Sequence, residues 1–548
     1  MSHPATHRLD RETALVAGLA ASISVISFIF YFRHDAVLLY GDAVAHINIA
    51  RRVFDSRTPG LLQLGTVWLP LPHLLMIPFL FSAWAWRTGV GASVPSMIAY
   101  VLGTIGIFRL VRSALSFRTQ SDAAAKISAW LAAIVYAANP NLIYLQTTAM
   151  TEALYLALFV WTVVYFFEFA QQAILGDPEL QASASSSLMK CGLCLVGTCF
   201  TRYDGWFLTL VTLATAVAVF LKTKLFGVKD LRKFTLLVGA APVLWLAYNA
   251  IIYRNPLEFA NGPYSARAIE QKTSRPGYPP HPGTHNLPVA GSYFLKSAEL
   301  NVAEGKWQRL WVFLLLMGTA MSGICNHRLW PLLLLWVPLP FYMLSIAYGG
   351  VPIFLPEWWP FSYYNVRYGL EMLPALAVFA ALAMYFMSGL VQNSTGKALI
   401  RIAVFIFVAA SYWSVWRERP VCYREAWINS RSRIALETQL AASLKTLPAD
   451  STLLMYLGDH VGAIQQAGIS LRRVINEGNH RTWRQPSDPE GLWEQALSNP
   501  LNHADFIAAT DGDPVSVSLQ AKGLVRIAQI QVPGQATTTI YATHSRPQ

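Results

Sequence analysis

The chain passes from a hydrophobic run, residues 14–32, into residues 41–52, which read Gly-Asp-Ala-Val-Ala-His-Ile-Asn-Ile-Ala-Arg-Arg. Asp42 and His46 are four residues apart, so a helix over this stretch places both side chains on one face. Ionisable side chains beside a membrane-length run are costly unless they have a partner or a function. Two interpretations fit the spacing: Asp42 caps a short interfacial helix, or Asp42 and His46 belong to a catalytic site.

The composition of the whole chain is that of a membrane protein. Of its 548 residues, 54% are hydrophobic and 13% are charged, and the mean hydropathy is +0.37. Such a chain is too apolar for a soluble protein. The net charge of +12 is spread over single and paired basic residues between apolar runs. This spread indicates contact with membrane lipids and not with nucleic acid.

Eleven runs have the length and apolarity of a membrane span, which predicts about 11 transmembrane helices. They cover residues 14–32, 94–111, 126–146, 152–170, 188–200, 206–221, 234–253, 310–325, 329–348, 368–387 and 400–416. A further run, residues 69–86, is interrupted by three prolines and is predicted not to cross. With that assignment and a cytoplasmic N-terminus, the short Lys- and Arg-rich loops fall on the inner side, as the positive-inside tendency expects.

The same topology puts the remaining polar motifs on the outer side, which also carries the long loops 33–93, 254–307 and 349–366. These motifs are His73, Thr151-Glu152, Thr201-Arg202-Tyr203-Asp204-Gly205 and Asn365-Val366-Arg367-Tyr368. The loop 254–307 is rich in Pro and Gly around residues 275–283, and loops of this length are usually functional lids or disordered. We therefore predict one functional face, on the outer side of the membrane.

Residues 1–416 are assigned to a membrane domain, and residues 417–548 have the composition of a soluble domain. Their patterns predict helices at 430–445, 461–467 and 490–497, and strands at 451–457, 471–475, 504–508, 524–531 and 538–542. Alternation of this kind predicts a small α/β domain outside the membrane. Asp459-His460, Asn479-His480 and Asp511-Gly512-Asp513 are interpreted as turn residues and not as ligands.

The order of the motifs resembles the GT-C class of membrane glycosyltransferases, in particular the group of protein O-mannosyltransferases and lipid A aminoarabinose transferases. The resemblance covers residues 14–387. It is carried by Asp42 after the first span, the Pro-rich residues 70–75, Ala138-Asn139-Pro140-Asn141 leading into Thr151-Glu152, and Arg367-Tyr368 followed by Leu373-Pro374. The chain departs from the family at Ala43, where relatives often have a second acidic residue, and at Trp68-Leu69, where several have a lysine.

The resemblance implies a polytopic helical fold and transfer of a sugar, with inversion, from a polyprenyl-phosphate donor to an acceptor at the outer leaflet. The acceptor hydroxyl then needs a base, for which Asp42 is the candidate. The leaving phosphate needs positive charge or hydrogen-bond donors. Arg202 and Arg367 are the candidates for this role because guanidinium groups suit phosphate oxygens, with snorkelling at the interface as the alternative.

Glu152 is the second candidate catalytic carboxylate. It either orients the acceptor or shares a divalent metal with Asp42 and His46, and oxygen-rich ligands suit Mg2+ or Mn2+. The remaining candidate substrate-binding residues are His46, His73, Asp204 and Tyr368. Asp204 has pairing with Arg202 as its alternative role.

Two other functions fit the same architecture: a non-enzymatic carrier or flippase of lipid-linked sugars, and transfer of an oligosaccharide from a diphosphate carrier. The lack of a doubled acidic motif beside Asp42 disfavours the second. The sequence leaves open the donated sugar and the acceptor, whether lipid, glycan or protein. Lean loops and the lack of a pairable cysteine framework favour a bacterial inner membrane, with the site facing the periplasm.

Overall fold

The structure is a computed structural model that describes residues 10–116, 123–175, 178–223, 227–266, 268–269, 279–479, 490–519 and 524–543. It consists of a bundle of long apolar helices followed by a smaller region that contains a five-stranded sheet. Residues 275–278 of the Pro- and Gly-rich stretch and His480 of the predicted turn lie outside the described residues.

The first part of the chain is helical, with long helices separated by short ones. These helices are α1 (Arg11–Arg33), α2 (Gly41–Arg52), α3 (Pro70–Met76), α4 (Ala83–Thr88), α5 (Val90–Ser116), α6 (Ala123–Ala137), α7 (Pro140–Leu145), α8 (Glu152–Leu175), α9 (Gln181–Cys199), α10 (Asp204–Thr223), α11 (Val228–Tyr253), α12 (Glu258–Asn261), α13 (Leu287–Leu300), α14 (Trp307–Cys325), α15 (Pro338–Tyr348), α16 (Leu373–Leu390) and α17 (Ser394–Glu418). Two 3₁₀ segments, His327–Trp336 and Val366–Met372, lead directly into α15 and α16.

Within the described residues, nine helices are long and apolar enough to cross a membrane. They are α1, α5, α8, α10, α11, α14, α17 and the two helices extended by 3₁₀ segments, α15 and α16. Two others, α6 with 15 residues and α9 with 19, occupy the positions of the remaining two predicted spans. The protein is therefore an integral membrane protein, and the predicted fold class is confirmed.

Burial separates the central helices from the peripheral ones. The apolar windows of α8 and α16 are 72% and 78% buried, whereas those of α1 and α11 are each 22% buried. A helix that is apolar all round is buried by other helices or exposed to lipid. Hence α8 and α16 form the centre of the bundle, and α1 and α11 expose most of their apolar surface to lipid.

Residues 69–86 do not form a membrane-length helix. They fold into α3, a 3₁₀ turn at Ile77–Phe79 and the start of α4. Pro70 begins α3, where its fixed φ is tolerated, and Pro78 falls in the 3₁₀ turn that ends this helical stretch. Ten helical residues extend about 15 Å, half of a hydrocarbon core. This agrees with the prediction that the run does not cross.

The C-terminal region begins with α18 (Val421–Lys445), two residues after α17 ends. It continues with β1 (Leu453–Met455), α19 (Val461–Ala467), β2 (Val474–Ile475), α20 (Leu492–Ser498), α21 (Pro500–His503), β3 (Phe506–Thr510), α22 (Pro514–Ser518), β4 (Val525–Ile530) and β5 (Thr538–Ala542). The strand order is β2-β1-β3-β5-β4. β1 is parallel to β2 and β3, and β5 is antiparallel to β3 and β4.

β1 and β3 are buried along their whole length, as expected for apolar strands covered on both faces. The predicted strands and helices all have counterparts here, most closely α19 and β5. The predicted helix at 430–445 starts earlier, at Val421, because its first turns pack against the membrane bundle and so continue the helix.

Hydrogen bonds from α18 and α19 connect the C-terminal region to the bundle near α2. In α18, the backbone N–H of Cys422 donates to Asn141 Oδ1 at 2.8 Å, and its carbonyl accepts from Tyr40 at 2.9 Å. In α19, Gln465 accepts from Asn48 of α2 at 2.7 Å and donates to the Trp86 carbonyl at 2.8 Å. As a result α2 is held between the helix bundle and the sheet-containing region.

Candidate functional site

Charged side chains from distant parts of the chain converge on two arginines at one end of the bundle. We call this group the arginine cluster; among the described residues it comprises Asp42, Glu152, Arg202, Asp204, Tyr342, Arg367, Glu371 and Glu425. Three of its carboxylates stand at helix N-termini: Asp42, Glu152 and Asp204 are in the first turns of α2, α8 and α10. Helix N-termini favour carboxylates, which explains part of this placement.

Arg367 contacts three carboxylates through three different nitrogens. Its Nη2 lies 2.6 Å from Asp42 Oδ2, its Nε 2.9 Å from Glu152 Oε1, and its Nη1 3.0 Å from Glu425 Oε1. A planar guanidinium presents its donors in a rigid fork, so it holds partners in defined directions. One side chain thus joins α2, α8 and α18.

Arg202 makes the second set of contacts. Its Nε lies 3.0 Å from Asp204, its Nη2 3.2 Å from Glu371, and its Nη1 3.5 Å from Glu152. Nη2 also donates to the Tyr342 hydroxyl at 2.8 Å, and that hydroxyl donates to Glu371 at 2.6 Å. Glu152 therefore lies between the two arginines and accepts from both.

Aromatic rings complete the surroundings of both guanidinium groups. The Tyr368 ring centre is 4.7 Å from the guanidinium carbon of Arg202 and 5.0 Å from that of Arg367. The Tyr40 ring centre is 5.2 Å from Arg367. Cations at these distances are attracted by the ring faces, so the rings help to hold the arginines in place.

Asp42 differs from the other carboxylates of the cluster in its exposure. Its side chain is 42% exposed, whereas those of Glu152, Asp204, Glu371 and Glu425 are at most 3% exposed. Of these five groups, Asp42 alone can be reached from outside the protein. The buried four can act only on other parts of the cluster.

The cluster contains more negative than positive charge. In the described part of the chain five carboxylates face two guanidinium groups, a formal charge of −3 if all five are ionised. Glu152 Oε2 and Glu371 Oε2 are buried there without a hydrogen-bond partner. Unpaired buried charge is costly, so the excess of carboxylates favours the binding of protons or of a cation at the cluster.

Two glycines permit the close packing that brings the arginines together. A Cβ on Gly205 would lie 2.4 Å from the Thr198 carbonyl carbon, and a Cβ on Gly369 would lie 2.3 Å from that of Ser297. Only glycine allows such approaches without a shift of the backbone. Gly205 therefore lets α10 start close to the end of α9, and Gly369 seats the segment Val366–Met372 against α13.

His46 and His73 pair with each other, with 2.8 Å between His46 Nδ1 and His73 Nε2. Burial, reinforced by the nearby Arg367 and Arg202, lowers the pKa of His46 to about 3. Burial, with His46 beside it, also lowers the pKa of His73 well below its usual range. Both rings are neutral at neutral pH, and one donates to the other. Neither contributes positive charge for binding a phosphate.

The three metal-ligand candidates are not arranged as one ligand set. Arg367 stands between Asp42 and Glu152, and His46 is bonded to His73. Nowhere in the described ranges do three His, Cys, Asp or Glu side chains group as metal ligands do. A metal held jointly by Asp42, His46 and Glu152 does not fit this arrangement.

The structure brings together most of the residues singled out from the sequence. Asp42, Glu152, Arg202, Asp204, Arg367 and Tyr368 meet, and Asp204 does pair with Arg202. Sequence reasoning missed Tyr342, Glu371 and Glu425. Glu371 was detectable, because an acid inside a predicted span indicates a functional site. Glu425 had no such signal, since it lies in a stretch interpreted as part of a soluble domain.

No protein-family model and no curated protein matches the chain. Among solved structures, ArnT from Cupriavidus metallidurans bound to undecaprenyl phosphate has a TM-score of 0.58 at 12% identity, covering 98% of this chain and 99% of ArnT. Its apo form gives 0.56 at 12% identity with the same coverage. The archaeal oligosaccharyltransferase AglB from Archaeoglobus fulgidus gives 0.48 at 13% identity, over 98% of this chain and 75% of AglB, and supports nothing further here.

The likeness to ArnT extends over almost the whole of both chains and includes the C-terminal region. Because identity is 12%, it concerns the arrangement of helices and strands and not their side chains. It agrees with the resemblance carried by the motif order. The protein therefore has the fold of a GT-C membrane glycosyltransferase of the ArnT type.

Proposed function

We propose that the protein is a glycosyltransferase that moves a sugar from a polyprenyl-phosphate donor to an acceptor hydroxyl at the outer face of the membrane. The fold supports this proposal, because ArnT, which shares it, binds undecaprenyl phosphate. The observation that carries it is the exposure of Asp42 within an otherwise buried cluster. The acceptor is a lipid, a glycan or a protein.

In this proposal Asp42 is the general base. Arg367 contacts Asp42 Oδ2 at 2.6 Å and fixes the carboxylate, and the second oxygen remains for the acceptor. As the acceptor oxygen bonds to the anomeric carbon, its proton passes to Asp42, and the bond from that carbon to the phosphate oxygen breaks with its electron pair leaving on the phosphate. A single displacement of this kind inverts the configuration at the anomeric carbon.

Arg202 and Arg367 are proposed to hold the carrier phosphate. The Arg367 guanidinium contacts Asp42, and Glu152 joins it to the guanidinium of Arg202. Fixed donors of this kind stabilise a leaving phosphate. The excess negative charge of the cluster would repel a phosphate, so the phosphate can bind there only together with additional positive charge. Protons on the buried carboxylates or a divalent cation such as Mg2+ or Mn2+ would supply that charge.

Glu152, Asp204 and Tyr368 are proposed to position the arginines and not to touch the acceptor. Glu152 accepts from both guanidinium groups, Asp204 from Arg202, and Tyr368 lies against both. The pair His46 and His73, being neutral and buried, is proposed to support α2 by joining it to α3.

The test is a reconstituted assay with purified protein and a panel of radiolabelled polyprenyl-phosphate sugars, supplied with envelope extract as acceptor. Release of free polyprenyl phosphate is measured for the wild type and for Asp42→Asn, which keeps the shape and removes the base. We expect release to fall by roughly 10²- to 10⁴-fold. Asp35→Asn, at an exposed aspartate just before α2 and outside the cluster, is the matched control and keeps wild-type release.

The other outcomes separate the alternative functions. No release from any donor, together with transbilayer movement that survives in Asp42→Asn, would favour a carrier or flippase. Diphosphate-linked oligosaccharides are tested beside the panel, and use of these donors alone would favour oligosaccharyl transfer. A parallel series with EDTA decides between protons and a divalent metal as the source of positive charge.

A further inference from the structure

We infer that Glu425 is a positioning residue for the proposed transfer reaction: it orients the Arg367 guanidinium and, through it, Asp42. The inference rests on the proposed function. Glu425 lies in α18, the first helix after the last membrane span, and its side chain is 2% exposed. It is the single member of the arginine cluster that comes from the C-terminal region.

Each oxygen of the Glu425 carboxylate has a defined partner. Oε1 accepts from the backbone N–H of Asn365 at 3.0 Å and from Arg367 Nη1 at 3.0 Å, and Oε2 accepts from the backbone N–H of Val366 at 2.9 Å. Asn365 has a φ of +56°, which turns the chain so that both N–H groups point the same way. Consecutive N–H groups in such a turn form an anion-binding concavity, which the Glu425 carboxylate fills.

These contacts determine the direction of the third donor of Arg367. Glu152 holds Nε and Glu425 holds Nη1, so the planar guanidinium directs Nη2 at Asp42. An ion pair with an exposed carboxylate is weak when it stands alone. The buried contacts of Glu425 are therefore what keep the exposed Asp42 in one orientation.

Glu425 itself is rigidly held, because α18 is bonded to the bundle on both sides of it. Cys422 contacts Tyr40 and Asn141, and Asn429 donates to the Tyr363 carbonyl at 2.9 Å. A residue that acts through another must be fixed to within fractions of an ångström. α18 meets this requirement and links the C-terminal region to the orientation of the base.

Two substitutions separate this role from mere packing. Glu425→Gln keeps the volume, but its NH2 group must face at least one of the three N–H donors, so at least one contact becomes repulsive. Glu425→Asp keeps both oxygens and the charge on a shorter side chain. We expect kcat to fall about 100-fold in Glu425→Gln, with KM within about threefold of the wild type, because displacement of a catalytic group by about 1 Å has this cost. Glu425→Asp should retain more activity than Glu425→Gln.

The matched control is Glu304→Gln. Glu304 pairs with Arg424, the residue before Glu425, at a position away from the arginine cluster. The Glu304→Gln substitution weakens the contact of α18 with the bundle without touching Arg367, so its activity shows the effect of destabilisation alone. We expect its kcat to stay near the wild-type value. Unfolding temperatures of all variants are measured in the same detergent. If Glu425→Gln does not fold, Glu425→Asp is compared with Glu304→Gln instead.

Binding of undecaprenyl phosphate, followed by native mass spectrometry, distinguishes failure of the inference from failure of the proposed function. A wild type that neither binds this lipid nor releases it from any donor overturns the proposed function, and the inference with it. An active wild type with Glu425→Gln equal to Glu304→Gln, or better than Glu425→Asp, overturns the inference alone. An active wild type with the order Asp above Gln, and lipid binding preserved in both, supports it.

Discussion

At the scale of single residues, the geometry of the candidate site depends on how two buried arginines share their carboxylate partners. Glu152 accepts from Arg367 at 2.9 Å and from Arg202 at 3.5 Å and is 1% exposed. A buried carboxylate between two guanidinium groups attracts both and offsets their mutual repulsion. If Glu152 loses its charge, the repulsion between the two buried guanidinium groups is no longer offset, which is costly in a low-dielectric environment.

We therefore expect Glu152→Gln to lower the unfolding temperature and to reduce polyprenyl-phosphate release by about 100-fold or more, because both arginines lose a fixed partner. Glu168→Gln is the control. Glu168 lies in the same helix, α8, and pairs with Arg109 at 2.7 Å outside the arginine cluster. Equal release from the two variants would show that Glu152 has no part in positioning the arginines.

At the scale of elements, the segment Val366–Met372 carries Arg367 and Glu371, and its Gly369 allows it to pack against α13. The Gly369 Cα faces the backbone of α13, so the 3₁₀ segment and α13 touch through main-chain atoms. The element can be placed this closely only because no side chain intervenes. Its position sets the distance from Arg367 to α2, α8 and α18.

Gly369→Ala should push this segment away from α13, because the new methyl would lie 2.3 Å from the Ser297 backbone. We expect about 1–3 kcal/mol of destabilisation and at least a tenfold loss of release. Gly389→Ala, in the neighbouring α16 with open space around its Cα, is the control and should be neutral or slightly stabilising. Thermal unfolding and release are measured for both, and a neutral Gly369→Ala would contradict the packing argument.

At the scale of the whole molecule, the C-terminal region takes part in forming the site. α18 supplies Glu425, and α19 holds α2 through Gln465, which is bonded to Asn48 and to the Trp86 carbonyl. Since α2 carries Asp42, the proposed base is fixed from the bundle side and from the sheet-containing side together. The region assigned to a separate soluble domain is thus structurally joined to the candidate site.

Gln465→Ala should loosen this connection by removing two buried hydrogen bonds and leaving Asn48 partly unsatisfied. We expect a loss of about 1–3 kcal/mol in stability and a severalfold fall in kcat. Gln466→Ala, at the next residue, which bonds to Thr438 within the C-terminal region, is the control. Unfolding temperature, protease sensitivity of the α18–α19 region and release are compared, and identical behaviour of both variants would argue against coupling through Gln465.

The sequence alone was sufficient for the class of the fold and for most elements. Apolar runs of membrane length require helices in lipid, because backbone groups there must be satisfied within the segment. Prolines at 70, 72 and 78 interrupt the apolar run 69–86, and β-branched and aromatic residues favour strands such as β5. These are local properties, so a reading of neighbouring residues recovers them.

What only the tertiary structure decided is which charged groups meet and in what state. Arg367 pairs with Asp42 and Glu425, which are 325 and 58 residues away in sequence, and no local pattern encodes such pairings. The same holds for His46 and His73, both predicted to bind substrate, with His46 also a metal-ligand candidate. Their rings pair with each other in a buried position, and their charge depends on that burial. Charge state and partnership are set by the three-dimensional environment, because electrostatic energy depends on distance and solvent access and not on sequence separation.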